Sequence, residues 1–296
     1  MTAQLPAVHP PLSAVREAVG RALAEDLLPL GDLTASLLPA GTRTEARLVA
    51  RVEGVLAGRA CATEAFLQVD ASTTLAWQLD DGAPLAPGRT IATVCGPAGP
   101  VLSAERTALN FLCHLSGVAT ATRRLVDRAR VANPATRILD TRKTTPGLRA
   151  LEKAAVRAGG GVNHRGSLSD GVLVKDNHLG NVTIAEAVAR ASRSWPGRLL
   201  EVECDRLDQV AEAVATGANQ VLLDNMTPDE VAACVAMVRE RAPDGPDGVR
   251  VLVEVSGGVT VDTVGAFAAA GADLISVGAI THSAPAVDIG LDLGEA

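Results

Sequence analysis

Two periodicities of apolar and polar positions run along this chain. Between Pro11 and Leu28 the apolar residues recur at helical spacing, and Pro29 ends the pattern. Asp32-Leu33-Thr34 follows in a loop led by glycine. From Thr42 to Gly58 the period shortens to two: Ala46, Leu48, Ala50 and Val52 fall on every second position, which predicts a half-buried strand punctuated at Gly54. Cys61 to Val69 reads as a short helix, and Thr73 to Leu79 and Thr90 to Val94 read as further strands. The first hundred residues therefore predict one or two helices with an antiparallel sheet. Gly96 to Pro100 is a cluster of breakers, after which Ser103 is placed to cap a long helix running to about Val131.

From Arg137 the rhythm changes. Short apolar runs (Ile138-Leu139, Val172 to Val174, Leu199 to Val202, Val221 to Leu223, Val251 to Val255, Leu274 to Val277) alternate with amphipathic stretches such as Leu207 to Thr216, Pro228 to Arg239 and Val261 to Ala270. Near-continuous apolar strands separated by helices predict a parallel sheet covered by helices. Around six such units favour a (β/α) barrel, with an open doubly wound sheet as the alternative. Pro243 to Gly248 reads as an exposed loop.

The residues that end these runs carry the chemistry. They are Asp140, Lys175, Glu203, Asp224, Ser256-Gly257-Gly258 and Gly278. In a barrel the C-terminal ends of the strands face one shared pocket, so each unit delivers a charge or a glycine turn to the same place. The last two ends resemble a phosphate cradle: glycines let backbone N–H groups approach an oxyanion, and a helix expected from Thr260 would add its positive end. For Asp224 a plain helix-capping role before Thr227 and Pro228 is the alternative.

Composition sharpens this picture. The chain of 296 residues carries a formal net charge of −7, which does not suit phosphate-backbone binding, so no nucleic-acid partner is expected. No apolar run is long enough to span a membrane, and Met1 to Pro11 lacks the features of a signal peptide, so a cytoplasmic protein is expected. Five cysteines (Cys61, Cys95, Cys113, Cys204, Cys234) lie far apart without a CxxC pair and read as reduced thiols.

Cations concentrate in one span despite the acidic total. The chain's lysines are Lys143, Lys153 and Lys175, and Arg142, Arg149, Arg157, His164, Arg165 and His178 lie among them. Arg149, Lys153 and Arg157 share a helical face, for which a solvated surface is the plain reading. Arg142-Lys143 and His164-Arg165 flank strand-like or glycine-rich stretches, with Gly159-Gly160-Gly161 just before His164. These point at a polyanionic ligand: arginine for bidentate carboxylate recognition, lysine as a point charge on phosphate. The histidines lack metal-ligand spacing, and no HExxH, Walker A, GxGxxG or GxSxG motif occurs.

Several segments together resemble the quinolinate phosphoribosyltransferase family. They are Gly31-Asp32-Leu33-Thr34, Glu105 to Asn110 with His114 to Gly117, Asp140-Thr141-Arg142-Lys143-Thr144-Thr145-Pro146-Gly147, Gly160 to Arg165, and Lys175-Asp176-Asn177-His178. Glu201-Val202-Glu203, Leu223-Asp224-Asn225, Ser256-Gly257-Gly258 and Gly278 to His282 complete the set. One departure is Ala154, where the family often carries an aromatic, which concerns packing.

The resemblance implies an N-terminal α/β sandwich over residues 1–115, an incomplete α/β barrel over 116–283, and a tail over 284–296 that packs on the first domain. It implies a homodimer or higher assembly with shared active sites, and Mg2+ as cofactor. It also implies the reaction: quinolinate and phosphoribosyl pyrophosphate give nicotinate mononucleotide, pyrophosphate and CO2. In that reading Arg142, His164, Arg165 and Lys175 hold the two adjacent carboxylates of quinolinate, with Arg106 supplied by the partner. Lys143 serves the pyrophosphate. Glu203 and Asp224 hold ribose hydroxyls and the metal-diphosphate, and stabilise the cationic ribose electrostatically. Ser256, Gly257, Gly258, Gly278 and His282 hold phosphate. The pyridine nitrogen is itself the nucleophile, so no general base is needed. Three rivals are a Schiff-base aldolase built on Lys175, a phosphoribosyltransferase for another pyridine or pyrimidine acid, and a non-catalytic phosphoribosyl-binding protein.

Overall fold

A computed structural model describes residues 9–175, 180, 182–242 and 250–294. Asp176, Asn177 and His178, and the expected loop at 243–248, lie outside the described residues. The chain divides into two units: one holds the residues up to Arg123 with Lys143–Gly160 and those from Ala279 on, the other Arg124–Arg142 and Gly161–Gly278.

The first unit is built on an antiparallel sheet. Its strands are β1 (Arg43–Ala50), β3 (Thr74–Trp77), β5 (Thr90–Pro97) and β12 (Ile289–Leu293), in the order β12-β1-β5-β3. Alternation buries Ala46, Leu48 and Ala50 of β1 completely, as the period of two requires. The strand ends at Ala50, so Val52, expected in the alternation, is exposed. A two-stranded ribbon, β2 (Gly54–Val55) with β4 (Pro84–Leu85), lies outside this sheet. Helices α1 (Leu12–Leu27), α2 (Arg59–Val69), α4 (Arg149–Ala158) and the single turn α9 (Ala279–His282) belong to the same unit.

The helix expected from Ser103 is α3, and it runs from Ala98 to Ala132 over 35 residues. It starts inside the cluster Gly96 to Pro100 that was expected to break structure. Pro100 is tolerated because it sits in the first turn, where its missing N–H has no helical acceptor. Ser103 is therefore an interior helix residue and not the cap; its hydroxyl lies 2.9 Å from Asp32 Oδ2. Asp32 Oδ1 in turn accepts the N–H groups of Thr34 and Ala35, and these bonds hold its carboxyl below the usual range.

The second unit has six parallel strands: β6 (Arg137–Leu139), β7 (Val172–Val174), β8 (Leu200–Cys204), β9 (Gln220–Asp224), β10 (Leu252–Ser256) and β11 (Leu274–Ser276). Their order is β6-β11-β10-β9-β8-β7. Chain-consecutive strands are neighbours from β7 to β11, and the first strand returns to pair with the last. That is the order of a (β/α) barrel interrupted between β6 and β7, where an isolated parallel bridge joins Leu139 to Val162. The covering helices are α5 (Ile184–Ser194), α6 (Leu207–Ala215), α7 (Pro228–Arg241) and α8 (Val264–Ala269).

Two of these helices start at complete capping boxes, Thr183 with Glu186 and Thr227 with Glu230. In each, the threonine hydroxyl accepts a backbone N–H three residues on while the glutamate reaches back to the threonine N–H. Thr227, with Pro228 behind it, is thus the cap of α7, which leaves Asp224 free of the capping role open to it from sequence. No helix among the described residues is long and apolar enough to cross a membrane.

Candidate functional site at the strand ends

Parallel register sorts the strand residues onto two faces. Pairs such as Glu201 with Gln220, Glu203 with Leu222, Leu222 with Glu254, and Asp224 with Ser256 share one face. The opposite face carries Val202, Val221, Leu223, Val253 and Val255, all fully buried. On the polar face Glu203, Asp224 and Ser256 form an upper tier as the residues nearest the C-terminal end of each strand, and Glu201, Gln220 and Glu254 form a deeper one further back along the strands, with Leu222 level with Glu203 and Glu254.

In the upper tier Lys175, which follows β7, donates from Nζ to Glu203 Oε2. Asp224 Oδ2 accepts from Asn225 Nδ2 at 2.7 Å, and Asn225 sits at φ 56°. Its N–H donates to Ser256 O at 2.9 Å, which ties the end of β9 to the turn after β10. Gly257 stands in that turn at φ +96°, where a Cβ would lie 2.2 Å from Asn225 Oδ1 and 3.0 Å from Asn225 N. Both the conformation and the space admit only glycine. The helix expected from Thr260 begins instead at Val264 and has 6 residues. Thr260 and Thr263 tie a turn there, with Thr260 N donating to Thr263 Oγ1 at 2.9 Å. The helix end therefore lies farther along the chain from Ser256-Gly257-Gly258 than expected. Gly278 follows β11.

Arg142, His164 and Arg165 lie along the chain next to β6 and its bridge partner Val162. Asp140, fully buried, accepts His164 N–H at 2.9 Å and Asn163 Nδ2 at 2.5 Å. These bonds hold the segment that carries His164 and Arg165. Burial first, and then the positive field of Arg142, push the Arg165 guanidinium below its ordinary range. Arg165 Nη1 donates to Gly171 O at 3.1 Å. Two arginines within each other's field make a place that an anion would relieve. A cavity of about 280 Å³ is lined by Asn163, His164, Arg165, Asp170, Glu201 and Gln220.

The deeper tier was not anticipated as a group. Gln220 Nε2 donates to Glu201 Oε1 at 2.8 Å and to Glu254 Oε2 at 2.6 Å. His164 Nε2 lies 3.1 Å from Glu201 Oε2 and 3.5 Å from Glu254 Oε2. Burial, and then the charge of Glu201, push the Glu254 carboxyl well above the usual range. The signal in sequence was a carboxylate flanked by valines inside an apolar run, Val202 beside Glu201 and Val253-Glu254-Val255.

The remaining expected residues belong to the first unit. Arg106 is exposed and lines a groove of about 630 Å³ with Arg21, Asn110 and His114. Lys143 O accepts from Thr281 Oγ1 at 2.7 Å. Two residues on, Thr145 N–H donates to Glu152 Oε2 at 3.1 Å, and Glu152 Oε1 meets His114 Nε2 at 2.8 Å. Arg149 Nε donates to Thr144 Oγ1 at 3.0 Å. The loop after Arg142 is thus tied down by Glu152, Arg149 and Thr281, none of which was singled out for that purpose. The helical face expected to be solvated is half-buried at Arg149 and Arg157 and buried at Lys153. His282 is exposed, its Nδ1 2.6 Å from Ser283 Oγ.

Two family models match the chain. The quinolinate phosphoribosyl transferase N-terminal domain covers residues 32–116 and the corresponding C-terminal domain residues 118–292. The nicotinate-nucleotide pyrophosphorylase (carboxylating) of Mycobacterium leprae is 41% identical over 285 residues, 95% of this chain and 97% of that protein. The Homo sapiens protein of the same description is 38% identical over 261 residues, 88% of this chain and 85% of that one. The solved structure of the nicotinate-nucleotide pyrophosphorylase from Francisella tularensis aligns with a TM-score of 0.90 at 36% identity, covering 98% of this chain and 100% of that one.

Proposed function

This chain belongs to the quinolinate phosphoribosyltransferase family, and from that premise we propose how its own residues divide the reaction. The enzyme transfers the phosphoribosyl group of phosphoribosyl pyrophosphate to quinolinate, with loss of CO2, in NAD biosynthesis. The observation that carries the assignment of residues is the polar tier at the strand ends. There the Lys175–Glu203 pair, Asp224 and the Ser256-Gly257 turn stand on one face of a parallel sheet.

Arg165 and Arg142 take the quinolinate carboxylates. Their mutual repulsion in the free protein supports this, because an anion bound between them relieves it. Lys175 adds a third cation, and His164 stands beside them with both ring nitrogens engaged inside the protein. Arg106, exposed on the first unit, is available to a second copy of the chain, as a homodimer with shared sites would require. Lys143, next to Arg142 in the chain, serves the pyrophosphate, and Ser256, Gly257, Gly258, Gly278 and His282 the 5′-phosphate.

Glu203 and Asp224 face the ribose. When the glycosidic bond to pyrophosphate breaks, positive charge builds on the ring, and two carboxylates on adjacent strands stabilise it where it forms. Their hard oxygens also suit Mg2+, which takes a few carboxylates and completes its shell with water and substrate oxygens. When bound, Mg2+ neutralises the departing pyrophosphate. A Schiff-base role for Lys175 fits poorly, since its Nζ is engaged by the Glu203 carboxylate and does not stand in an apolar pocket.

The test is a single assay of purified protein with quinolinate, phosphoribosyl pyrophosphate and Mg2+, with nicotinate run in parallel. Nicotinate mononucleotide and CO2 from quinolinate alone are expected. Turnover of nicotinate at a comparable rate would refute the dicarboxylate reading of the arginines.

A further inference from the structure

We infer that Glu201, Gln220 and Glu254 are positioning residues that fix the tautomer of His164 and, through its ring, the backbone at Arg165. This rests on the reading of Arg165 as a carboxylate-binding group. The argument begins at the imidazole. Arg165 N–H donates to His164 Nδ1 at 2.8 Å. A ring nitrogen that accepts an amide proton carries none of its own, so the single ring proton sits on Nε2. Nε2 in turn points at Glu201 Oε2, 3.1 Å away, with Glu254 Oε2 at 3.5 Å.

The two carboxyl groups are not left to find their own place. Gln220 Nε2 bridges them at 2.8 and 2.6 Å. All three residues are buried: Glu201 is 1%, Gln220 3% and Glu254 0% exposed. Two acids and an amide at the centre of a barrel are costly unless they satisfy one another; here Gln220 and His164 engage both Glu201 oxygens and Glu254 Oε2, while Glu254 Oε1 is buried without a hydrogen-bond partner among the described residues. Asp140 grips the same segment from its backbone side, accepting His164 N–H at 2.9 Å. His164 is thereby held at its backbone by one buried acid and at its ring by a second. Its free lone pair, on Nδ1, is aimed at the Arg165 amide. The ring is a strut between the barrel centre and Arg165.

This differs from the expectation that His164 itself contacts a quinolinate carboxylate. With Nδ1 accepting from Arg165 N–H and Nε2 directed at Glu201, both ring nitrogens are engaged inside the protein. The cluster is also not arranged for a cation. The ligand-type atoms of His164, Glu201 and Glu254 lie within 4.8 Å of one another, but Gln220 presents N–H groups, not its oxygen, to both carboxyls.

The test uses full-length protein labelled with 15N-histidine and long-range 1H–15N correlation spectra of the ring nitrogens. Wild type is expected to show the Nε2–H tautomer at His164. Glu201→Leu, close in volume, removes the acceptor and is expected to mix the tautomers. It should raise the KM for quinolinate about tenfold while the KM for phosphoribosyl pyrophosphate stays within about twofold. Glu201→Gln keeps an acceptor and should recover most of the loss. Should Glu201→Leu fail to fold, Gln220→Leu, which frees both carboxyls, is expected to move the same two readouts in the same direction. A wild-type ring protonated on Nδ1, or a folded Glu201→Leu with tautomer and both KM values unchanged, would overturn the proposal. The tautomer is read without turnover, so an inactive wild type would count against the quinolinate reading alone.

Discussion

Replacing Arg165 by alanine tests the dicarboxylate site most directly. The guanidinium is half-buried, one of its N–H groups is already committed to Gly171 O, and it lies in the positive field of Arg142. A charge-assisted hydrogen bond to a carboxylate contributes about 1.5–3 kcal/mol net. Two features reduce what its loss should cost. The site is partly open to water, and Arg142 is relieved of a like charge when Arg165 goes. Counting one full bond and part of a second gives a loss of about 2–3 kcal/mol. At about 1.4 kcal/mol per factor of ten that is roughly 30- to 150-fold in kcat/KM. A carboxylate contact exists in the ground state and the transition state alike, so the loss should fall on the KM for quinolinate and leave kcat nearly unchanged. Arg165→Lys keeps the charge and loses the fork, so it should land between the two. The assay varies quinolinate at saturating phosphoribosyl pyrophosphate and Mg2+ and follows nicotinate mononucleotide. A KM for quinolinate within about twofold of wild type would remove Arg165 from the site, and so would a loss confined to the other substrate.

Other consequences can be read on stability and reactivity. Gly257→Ala forces a side chain into φ +96° and within 2.2 Å of Asn225 Oδ1. It should cost about 1–3 kcal/mol in urea unfolding and raise the KM for phosphoribosyl pyrophosphate, and a normal KM would place the turn outside the phosphate site. Burial would raise the Glu152 carboxyl, but bonds from His114 and Thr145 hold it below its ordinary 4.5. A depressed carboxylate stabilises the fold above its unfolded value and loses that contribution as pH falls through the lower folded value. The urea midpoint of wild type should therefore fall towards that of Glu152→Gln below about pH 4.5, and a gap between them that is constant with pH would refute the bonding. Burial pushes the thiols of Cys61 and Cys204 up to about 12. Neither should react with Ellman's reagent at pH 8 until the protein is unfolded, and rapid labelling of either, located by mass spectrometry, would contradict their burial.

The upper tier was legible because strand ends are marked in the chain itself. Lys175, Glu203, Asp224 and Ser256-Gly257-Gly258 each close an apolar run, and a parallel barrel sends every such ending to one rim. The glycine at 257 could also be read in advance as a turn, though the reason for it, Asn225 in the space a Cβ would need, could not. Interior breaks were harder. Pro100 marks a stop by its local preference, but α3 takes it into its first turn, and Ser103 spends its hydroxyl on Asp32, 71 residues away. The amphipathic stretch from Val261 suggested a helix start near Thr260 that the structure delays to Val264, because Thr260 and Thr263 satisfy their own backbone in a turn first.

Local pattern thus determined the class of fold, the strand endings and the polyanion-binding character of the span around Lys143 to Lys175, since periodicity, turn residues and charge are properties of neighbours in the chain. Tertiary structure alone decided what the buried polar groups do. Glu201 meets Gln220 and Glu254 only because parallel pairing sets Glu201 opposite Gln220 and Glu254 opposite Leu222, the next residue on the same face of β9, and His164 reaches them only because Asp140 holds its backbone beside β6. Glu152 looked like part of a solvated charged face until His114, 38 residues earlier, and the Thr145 amide were brought to it. A buried carboxylate takes its role from whichever donors enclose it, and the distances that choose them come into being only when the chain has folded.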